Sequence, residues 1–338
     1  MAEELPLTSL LSQVLIALTI EADNEFERRV PHFISDDKSK PWMGVWLISH
    51  AMYAHFLRFV EDDGIAMGDL AVAAGYGPPV HPAYHGMRRW GYVTYTPDIA
   101  GASPKKTDAA AVVRCTPNGR QARDAWSDVL AEMQDRWNER GLAALHAALI
   151  PIVESIERPL PEYMPNVGFD RRTPDLDQPR TRPPLELGLL ALLSQCLLAM
   201  TYDFEERSEL ALGTYAGLLG PLTDEPTLVR DLYETTGVAR KEWGSAMTQL
   251  AKAGLAVVGP VPGGKAKAIW LSSEGIAAKE RARSLLREVE AKWRKQCGIS
   301  LEKLRSELER VVADAWNWTD PYPDGWRSKT KLPRHLAH

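Results

Sequence analysis

One segment in the second half of the chain, residues 238–253, carries side chains that suit contact with DNA. Its apolar residues recur at helical spacing, so Trp243, Met247 and Leu250 are predicted to share a buried face. The opposite face is predicted to carry five small or basic residues: Lys241, Gly244, Ser245, Thr248 and Lys252. A helix in the major groove reads base edges with such side chains, while flanking lysines bind phosphates. An ordinary solvated helix surface is the alternative interpretation.

Two β-like runs follow, at 255–261 and 266–271, and the Pro-Gly-Gly between them predicts a hairpin. An amphipathic helix is predicted upstream, at Thr227–Thr236. Helix, glycine-containing turn, second helix and hairpin together make a helix-turn-helix with a wing. Lys265 and Lys267, near the hairpin tip, are predicted to meet DNA phosphates.

The first half repeats this order of elements with different side chains. Two helices and two strands are predicted there: Met67–Ala74, Val80–Trp90, Tyr92–Thr96 and Ala110–Cys115. The second helix would expose His81, His85 and Arg89, although three prolines near its start delay its first turn. The histidines could contact DNA, sense pH or be plain exposed residues. A long wing would present Lys105 and Lys106 to phosphates.

The distribution of charge agrees with this placement. The chain has a net charge of −5, which by itself does not indicate nucleic-acid binding. Residues 67–116 hold five basic and three acidic residues, and residues 225–272 hold six basic and four acidic residues. Each predicted winged region is therefore locally basic, at +2, on an acidic body, which permits DNA binding without demonstrating it.

Signatures of catalysis and of metal binding are missing from the sequence. It contains no GxSxG, no phosphate-binding Walker loop and no HExxH motif. Its three cysteines, Cys115, Cys196 and Cys297, are far apart, which argues against a disulfide framework or a structural zinc site. We therefore predict no catalytic residue, no metal and no cofactor, and we expect that the protein is not an enzyme.

Aromatic residues could form a second kind of site. Trp42 and Trp46 lie on a predicted helix with Tyr53, and this helix could line an apolar pocket for a flat ligand. Packing in the core is the alternative for any aromatic stripe.

An internal repeat sets the order of all these elements. The run Leu10–Thr19 returns as Leu192–Thr201, with Leu-Leu-Ser-Gln at the start of both. Later landmarks keep the same order: Trp90-Gly91-Tyr92 matches Ala253-Gly254-Leu255, Thr116–Gly119 matches Ser272–Gly275, and Trp137 matches Trp293. The sequence therefore predicts a duplication of one helical unit.

Four segments follow from the repeat: a first unit at 1–157, a connector rich in proline and arginine at 158–184, a second unit at 185–316, and a basic, aromatic tail at 317–338. The second unit is predicted to begin with a long helix over Leu185–Leu212. The predicted fold is mainly α with small β-hairpin wings, a tandem winged helix-turn-helix that forms a single-chain pseudo-dimer.

The junction Cys115-Thr116-Pro117-Asn118-Gly119-Arg120 resembles the strand-to-helix junction of the MarR family of regulators, and Ser272–Gly275 is a looser version. In particular, the chain resembles tandem MarR-like proteins of actinobacteria. The resemblance implies a transcription regulator in which two winged lobes read a palindrome and a small aromatic ligand often releases the DNA. The proline-rich start of the first recognition helix, and wings without the family's Asp-x-Arg pattern, depart from that scheme.

We therefore expect a regulator that binds double-stranded DNA at a pseudo-palindromic or asymmetric operator, as a monomeric pseudo-dimer or a homodimer. The alternative is a protein that binds or sequesters small molecules on the same fold after its DNA surface has decayed. No apolar run reaches the roughly 18–20 residues that a membrane helix needs, and the N-terminus has no basic segment typical of a signal peptide. We expect no membrane association and a cytoplasmic location.

Overall fold

The computed structural model describes residues 5–30, 50–74, 86–88, 90–97, 108–161, 182–232, 240–261 and 263–318. In these ranges the protein is mainly helical, with two small antiparallel sheets. None of the described helices combines the length and the apolar character that a bilayer crossing requires.

Four helices form a central bundle: α1 (Leu7–Arg29), α5 (Ala143–Glu154), α6 (Leu189–Glu205) and α10 (Ile299–Trp318). Helices α1 and α6 pack against each other, as do α5 and α10, and each of the first pair also packs against one of the second. Helix α6 is buried on nearly all sides, which explains why its sequence is apolar all round rather than striped.

Two long helices connect this bundle to the rest of the chain: α4 (Pro117–Trp137) and α9 (Ser273–Cys297). A π-helical turn over Asn138–Leu142 joins α4 to α5, and Gly141 within it has a φ of 87°. Gly298, with a φ of 56°, separates α9 from α10. Because L-residues rarely adopt positive φ, glycine allows the chain to turn at both junctions.

The first lobe, residues 50–115, carries one sheet and two short helices. Its elements are α2 (Ala51–Leu57), β1 (Ile65–Ala66), α3 (Met67–Ala73), β2 (Val93–Thr96) and β3 (Val112–Cys115), with residues 86–88 also helical. The strand order is β1-β3-β2, and Val93 pairs with Cys115. Alternate residues of β2 are buried, as expected for a strand with one face on the core.

The second lobe, residues 211–271, has the same strand order. Its elements are α7 (Leu212–Thr214), a π-helical turn (Tyr215–Leu219), β4 (Thr227–Leu228), α8 (Arg240–Lys252), β5 (Ala256–Pro260) and β6 (Lys267–Leu271). The order is β4-β6-β5, and Ala256 pairs with Leu271. The predicted strands at 255–261 and 266–271, and the hairpin that they form, are confirmed to within a residue or two.

Two predicted helices differ from the structure. The helix predicted over Leu185–Leu212 begins only at Leu189, after a 3₁₀ turn at Pro184–Glu186, and ends at Glu205. Leu187 and Gly188 are extended, with ψ of 139° and 164°, so the helix begins only after them. The segment Thr227–Thr236, predicted to be a helix, begins with strand β4, in which Thr227 pairs with Ile269. A strand of two residues shows no alternation, so its sequence carries no usable signal; residues 233–236 lie outside the described residues.

Candidate nucleic-acid interface

Helix α8 is held in the second lobe by its apolar face. Trp243, Ala246, Met247 and Leu250 are buried, with Trp243 only 1% exposed. They belong to one apolar cluster with residues of the π-helical turn and of β6. The predicted inward positions, Trp243, Met247 and Leu250, are therefore confirmed.

The opposite face of α8 is open to solvent. Gly244, Thr248 and Lys252 are exposed, and the Thr248 hydroxyl donates a hydrogen bond to the Gly244 carbonyl at 3.2 Å. A Cβ at Gly244 would meet nothing within 4 Å, so a partner's surface can approach the backbone closely here. Lys241 and Ser245 belong to α8 by their backbone, while their side chains lie outside the described residues.

The wing of the second lobe presents two lysines. Strands β5 and β6 pair from Ala256–Leu271 to Pro260–Lys267, and the amide of Val261 extends the hairpin with a bond to the Ala266 carbonyl at 2.8 Å. Lys265 and Lys267 are exposed beyond and at the end of this ladder. The lobe thus exposes Lys252, Lys265 and Lys267, of which two lie on the wing and one at the end of α8.

A glycine fixes the turn between α8 and the wing. Gly254 has a φ of 72°, and the amide of Leu255 donates to the Leu250 carbonyl at 2.9 Å. This pattern is the Schellman termination of a helix, with Gly254 at the C′ position. In the first lobe, Gly91 has the same φ and the amide of Tyr92 donates to the Met87 carbonyl at 2.9 Å.

The junction from each wing to its long helix is also built alike. Thr116 caps α4: its hydroxyl accepts from the amide of Gly119 at 3.0 Å and donates to the Gly91 carbonyl at 2.5 Å. Ser272 caps α9 with bonds to the amide of Gly275 at 3.0 Å and the Gly254 carbonyl at 2.6 Å. These are the residues of the motif that resembles the MarR junction, and their role is to anchor the wing to the helix.

Five candidate residues of the first lobe fall outside the described residues: His81, His85, Arg89, Lys105 and Lys106. Their role in DNA contact stays a prediction. The described neighbours Met87 and Trp90 are buried and supply the inward face of this region.

The aromatic site is described only in part. Tyr53 is 4% exposed, and its hydroxyl accepts a hydrogen bond from Trp90 Nε1 at 3.3 Å. Its ring packs edge-on against Tyr92 at 6.3 Å, so Tyr53 contributes to the core of the first lobe. Trp42 and Trp46 lie outside the described residues.

A cleft of about 150 Å³ lies between α1 and α4, and charged side chains line it. Arg28 and Arg136 both bind Glu25, at 2.8 and 3.0 Å, and Arg140 binds Glu21 at 2.7 Å. Burial alone raises the pKa of Glu25, but hydrogen bonds from Arg29, Arg136 and Arg28 outweigh it and hold that pKa below its ordinary value. The ion pairs across this cleft, from Arg136 to Glu25 and from Arg140 to Glu21, therefore hold α1 against α4 and the turn that follows α4.

Each long helix bonds to the first helix of its own half through a tryptophan. Trp137 Nε1 donates to Glu21 at 2.8 Å, and Trp293 Nε1 donates to Asp203 at 2.7 Å. Glu21 and Asp203 lie at matching positions of the runs that begin at Leu10 and Leu192. The two tryptophans that match in the repeat therefore make matching structural contacts.

The first amide of each of these two helices, α1 and α6, donates a hydrogen bond to a side chain from the other half of the chain. The amide of Leu7 in α1 donates to Glu290 of α9 at 2.6 Å, and the amide of Leu189 in α6 donates to Gln134 of α4 at 2.7 Å. Sequence reasoning missed these residues. A signal was present, because Gln134 and Glu290 each stand three positions before a matched tryptophan.

A second pair of contacts supports the same exchange between halves. Arg305 of α10 donates to the Leu5 carbonyl at 2.9 Å, and His146 of α5 hydrogen-bonds the Leu187 carbonyl at 2.8 Å. Each carbonyl lies two residues before a first helix, and each donor comes from the last helix of the opposite half.

Comparison of the chain with models of protein families, with curated proteins and with solved structures found no match in any of the three.

Proposed function

We propose that this protein is a DNA-binding transcription regulator of the MarR-like type, in which two winged units of one chain form a covalent pseudo-dimer. The observation that carries the proposal is the way in which α8 packs in the second lobe. Its apolar face is buried in the lobe, and Gly244, Thr248 and Lys252 are exposed on the other side. A recognition helix needs this arrangement, because its exposed side must enter a groove without disturbing the core.

The lysines of the second lobe add electrostatic support. Lys265 and Lys267 extend from the wing next in sequence to α8, where a duplex seated on the helix would bring its phosphates. The second lobe is thus the principal DNA-reading unit of the proposal.

The pseudo-dimer rests on matched contacts in the two halves. Both lobes have the same strand order, both long helices start with a hydroxyl cap, and each first helix is capped by the opposite half. Reciprocal contacts of this kind are those of a two-fold dimer, in which one surface meets its own copy. One chain would supply both lobes for a pseudo-palindromic or asymmetric operator.

Regulation by a small aromatic ligand is the part of the proposal with the least support. Among the described residues, the cleft between α1 and α4 is lined by ion-paired side chains, and Tyr53 is packed in the core. Neither favours a flat apolar ligand, so we advance no separate ligand-binding function.

A salt titration of DNA binding tests the proposal on the full chain. The probes are a duplex from the region upstream of its own gene and a random-sequence duplex. We expect a Kd that rises with salt, and a double variant Lys265→Ala/Lys267→Ala that lowers the slope of log K against log salt. The expected decrease is about 0.9 for each phosphate that the variant no longer neutralises.

Lysines far from the lobe serve as the matched control. Lys295 and Lys303 are exposed on α9 and α10, and the double variant Lys295→Ala/Lys303→Ala removes the same charge. It should leave the slope unchanged. Absence of DNA binding by the intact chain at low salt, or equal slopes for the two double variants, would contradict the proposal.

A further inference from the structure

Most of the second lobe, from Leu218 onward, has an apolar core of its own, while Leu212, Tyr215 and Ala216 pack in the main core. Leu218, Leu222, Trp243, Ile269 and their neighbours form a cluster separate from the main core of the described residues. Its members come from the π-helical turn, α8, the sheet and the first turns of α9. The lobe can therefore keep its internal packing when its contact with the bundle changes.

The first lobe instead shares one continuous core with the central bundle. Aromatic rings make the connection. His50, at the start of α2, stacks on Phe26 of α1 with centroids 4.0 Å apart, and Trp126 of α4 meets His50 edge-on at 5.2 Å. Tyr92, just before β2, also meets His50 edge-on at 5.5 Å. We call Phe26, His50, Tyr92 and Trp126 the aromatic joint.

The second half has a ring pair near the corresponding contact: Tyr215 of the π-helical turn stacks on Phe204 of α6 with centroids 6.1 Å apart, and both side chains belong to the main core. The bonds of Glu21 to Trp137 and of Asp203 to Trp293 fix the register of the repeat. In that register Ser208 stands for Phe26 and Ala282 for Trp126, and the match of Gly91 with Gly254 makes Leu255 the counterpart of Tyr92. Aromatic side chains bury some 150–250 Å² each, so the smaller residues at these three positions make less apolar contact with the bundle than the aromatic joint makes.

The boundary between the two apolar cores, which we call the seam, crosses the chain at two segments. Along the chain it crosses the π-helical turn, where Ala216 packs in the main core and Leu218 in that of the lobe. On α9 it passes between Ala278 and Ala282. A π-helical segment is rare and occurs often at functional sites.

We infer that the second lobe opens and reorients as one unit about this seam, whereas the aromatic joint fixes the first lobe to the bundle. The two lobes then have different tasks. The first lobe keeps a fixed orientation relative to the bundle. The second lobe changes its own position relative to the bundle to fit the partner that the chain binds. Proteins open locally in cooperative units, and a separately packed lobe is such a unit.

Hydrogen exchange of the intact chain, without DNA, tests this inference at increasing urea below global unfolding. We expect amides of β5 and β6 to exchange at least tenfold faster than those of β2 and β3, and with a weaker dependence on urea. A weaker dependence reports the smaller surface exposed by a local opening. Equal rates and equal urea dependence in the two sheets would overturn the inference.

Variants of the aromatic joint give the second arm of the test. Trp126→Ala should accelerate exchange in β2 and β3 at least tenfold and leave β5 and β6 unchanged. Leu130→Ala, which shortens a partly buried side chain one turn further along α4, is the control and should not act on β2 and β3 selectively. If Trp126→Ala does not fold, Trp126→Leu keeps bulk without the ring and should act in the same direction. An unchanged first lobe in a folded Trp126 variant would contradict the role of the joint.

This experiment contains no DNA, so its outcome is separate from that of the proposed function. Failure of DNA binding would leave the seam intact, and failure of the exchange test would leave DNA binding to be judged on its own.

Discussion

Replacement of Glu290 by alanine is the most direct test of the contact between the halves. One carboxylate oxygen of Glu290 accepts from the amide of Leu7 at 2.6 Å, and the other accepts from Arg305 at 2.8 Å. The side chains of Glu290 and Arg305 are 14% and 10% exposed, so the pair is shielded from solvent. The substitution removes the cap of α1 and also the principal ion-pair partner of Arg305.

The expected cost follows from these contacts. Removal of one partner from a buried ion pair costs about 3–5 kcal/mol, and loss of a helix cap about 1 kcal/mol. Arg305 keeps its bond to the Leu5 carbonyl and has Glu309 at 3.6 Å, which reduces the penalty. We therefore expect Glu290→Ala to lower the free energy of unfolding by about 3 kcal/mol.

Two further variants separate the charge from the cap. Glu290→Gln keeps an acceptor for the amide of Leu7 and loses the charge, so it should cost about 1–2 kcal/mol. Gln134→Ala removes the matching but neutral cap of Leu189 and should cost about 1 kcal/mol. The order Glu290→Ala, Glu290→Gln, Gln134→Ala is itself part of the prediction.

Urea unfolding at neutral pH, followed by far-UV circular dichroism, measures these differences, and hydrogen exchange in α1 localises them. Because the second lobe is expected to open separately, the transition that reports the bundle is the one to compare. Glu290→Ala within about 0.5 kcal/mol of the wild type, the usual range for surface substitutions, would refute the reasoning.

Two glycines and one carboxylate give the remaining predictions. Gly275→Ala would place a Cβ 1.8 Å from the Leu255 carbonyl oxygen and should destabilise the fold by at least about 3 kcal/mol in urea unfolding, whereas an unchanged midpoint would contradict the tight junction. In Gly244→Ala the new Cβ would meet no atom within 4 Å, so the substitution should stabilise α8 by about 0.5–1 kcal/mol. It should also weaken DNA binding, because the new methyl group lies on the exposed face that is proposed to contact DNA. A DNA affinity equal to that of the wild type would exclude Gly244 from the interface. Folding lowers the pKa of Glu25 from its ordinary value of 4.5, so its ion pairs stabilise the protein above that pH. This stability is lost as the pH falls through the folded pKa. Urea unfolding between about pH 3 and 6 should therefore show a smaller acid-induced decrease in the free energy of unfolding for Glu25→Gln than for the wild type.

Several local features could be predicted from the sequence because each depends on one element. The period of 3.6 residues identified the buried face of α8, since Trp243, Met247 and Leu250 need only a helix and a core to be oriented. Gly254 ended that helix where the pattern broke, because only glycine adopts the left-handed conformation without strain. The hydroxyl caps at Thr116 and Ser272 depend on equally local chemistry, although the sequence predicted only that the two junctions match.

Other features could not be predicted, because they depend on how distant segments meet. The two-residue strands β1 and β4 exist only as partners of β3 and β6. The role of Tyr53 also depended on its neighbours, since an aromatic stripe has the same spacing whether it lines a pocket or fills a core. Burial and the bond from Trp90 place it in the core.

By itself, the sequence determined the hairpin of the second lobe and the buried face of α8, because turn chemistry and helical periodicity act over a few neighbouring residues. Only the tertiary structure decided that Glu290 and Gln134 cap the first helix of the opposite half, because a cap across halves depends on where the helices cross. It also decided that the halves are packed unequally. Rings at Phe26, Tyr92 and Trp126 meet around His50 beside one lobe, while the other lobe has a separate core beyond its π-helical turn.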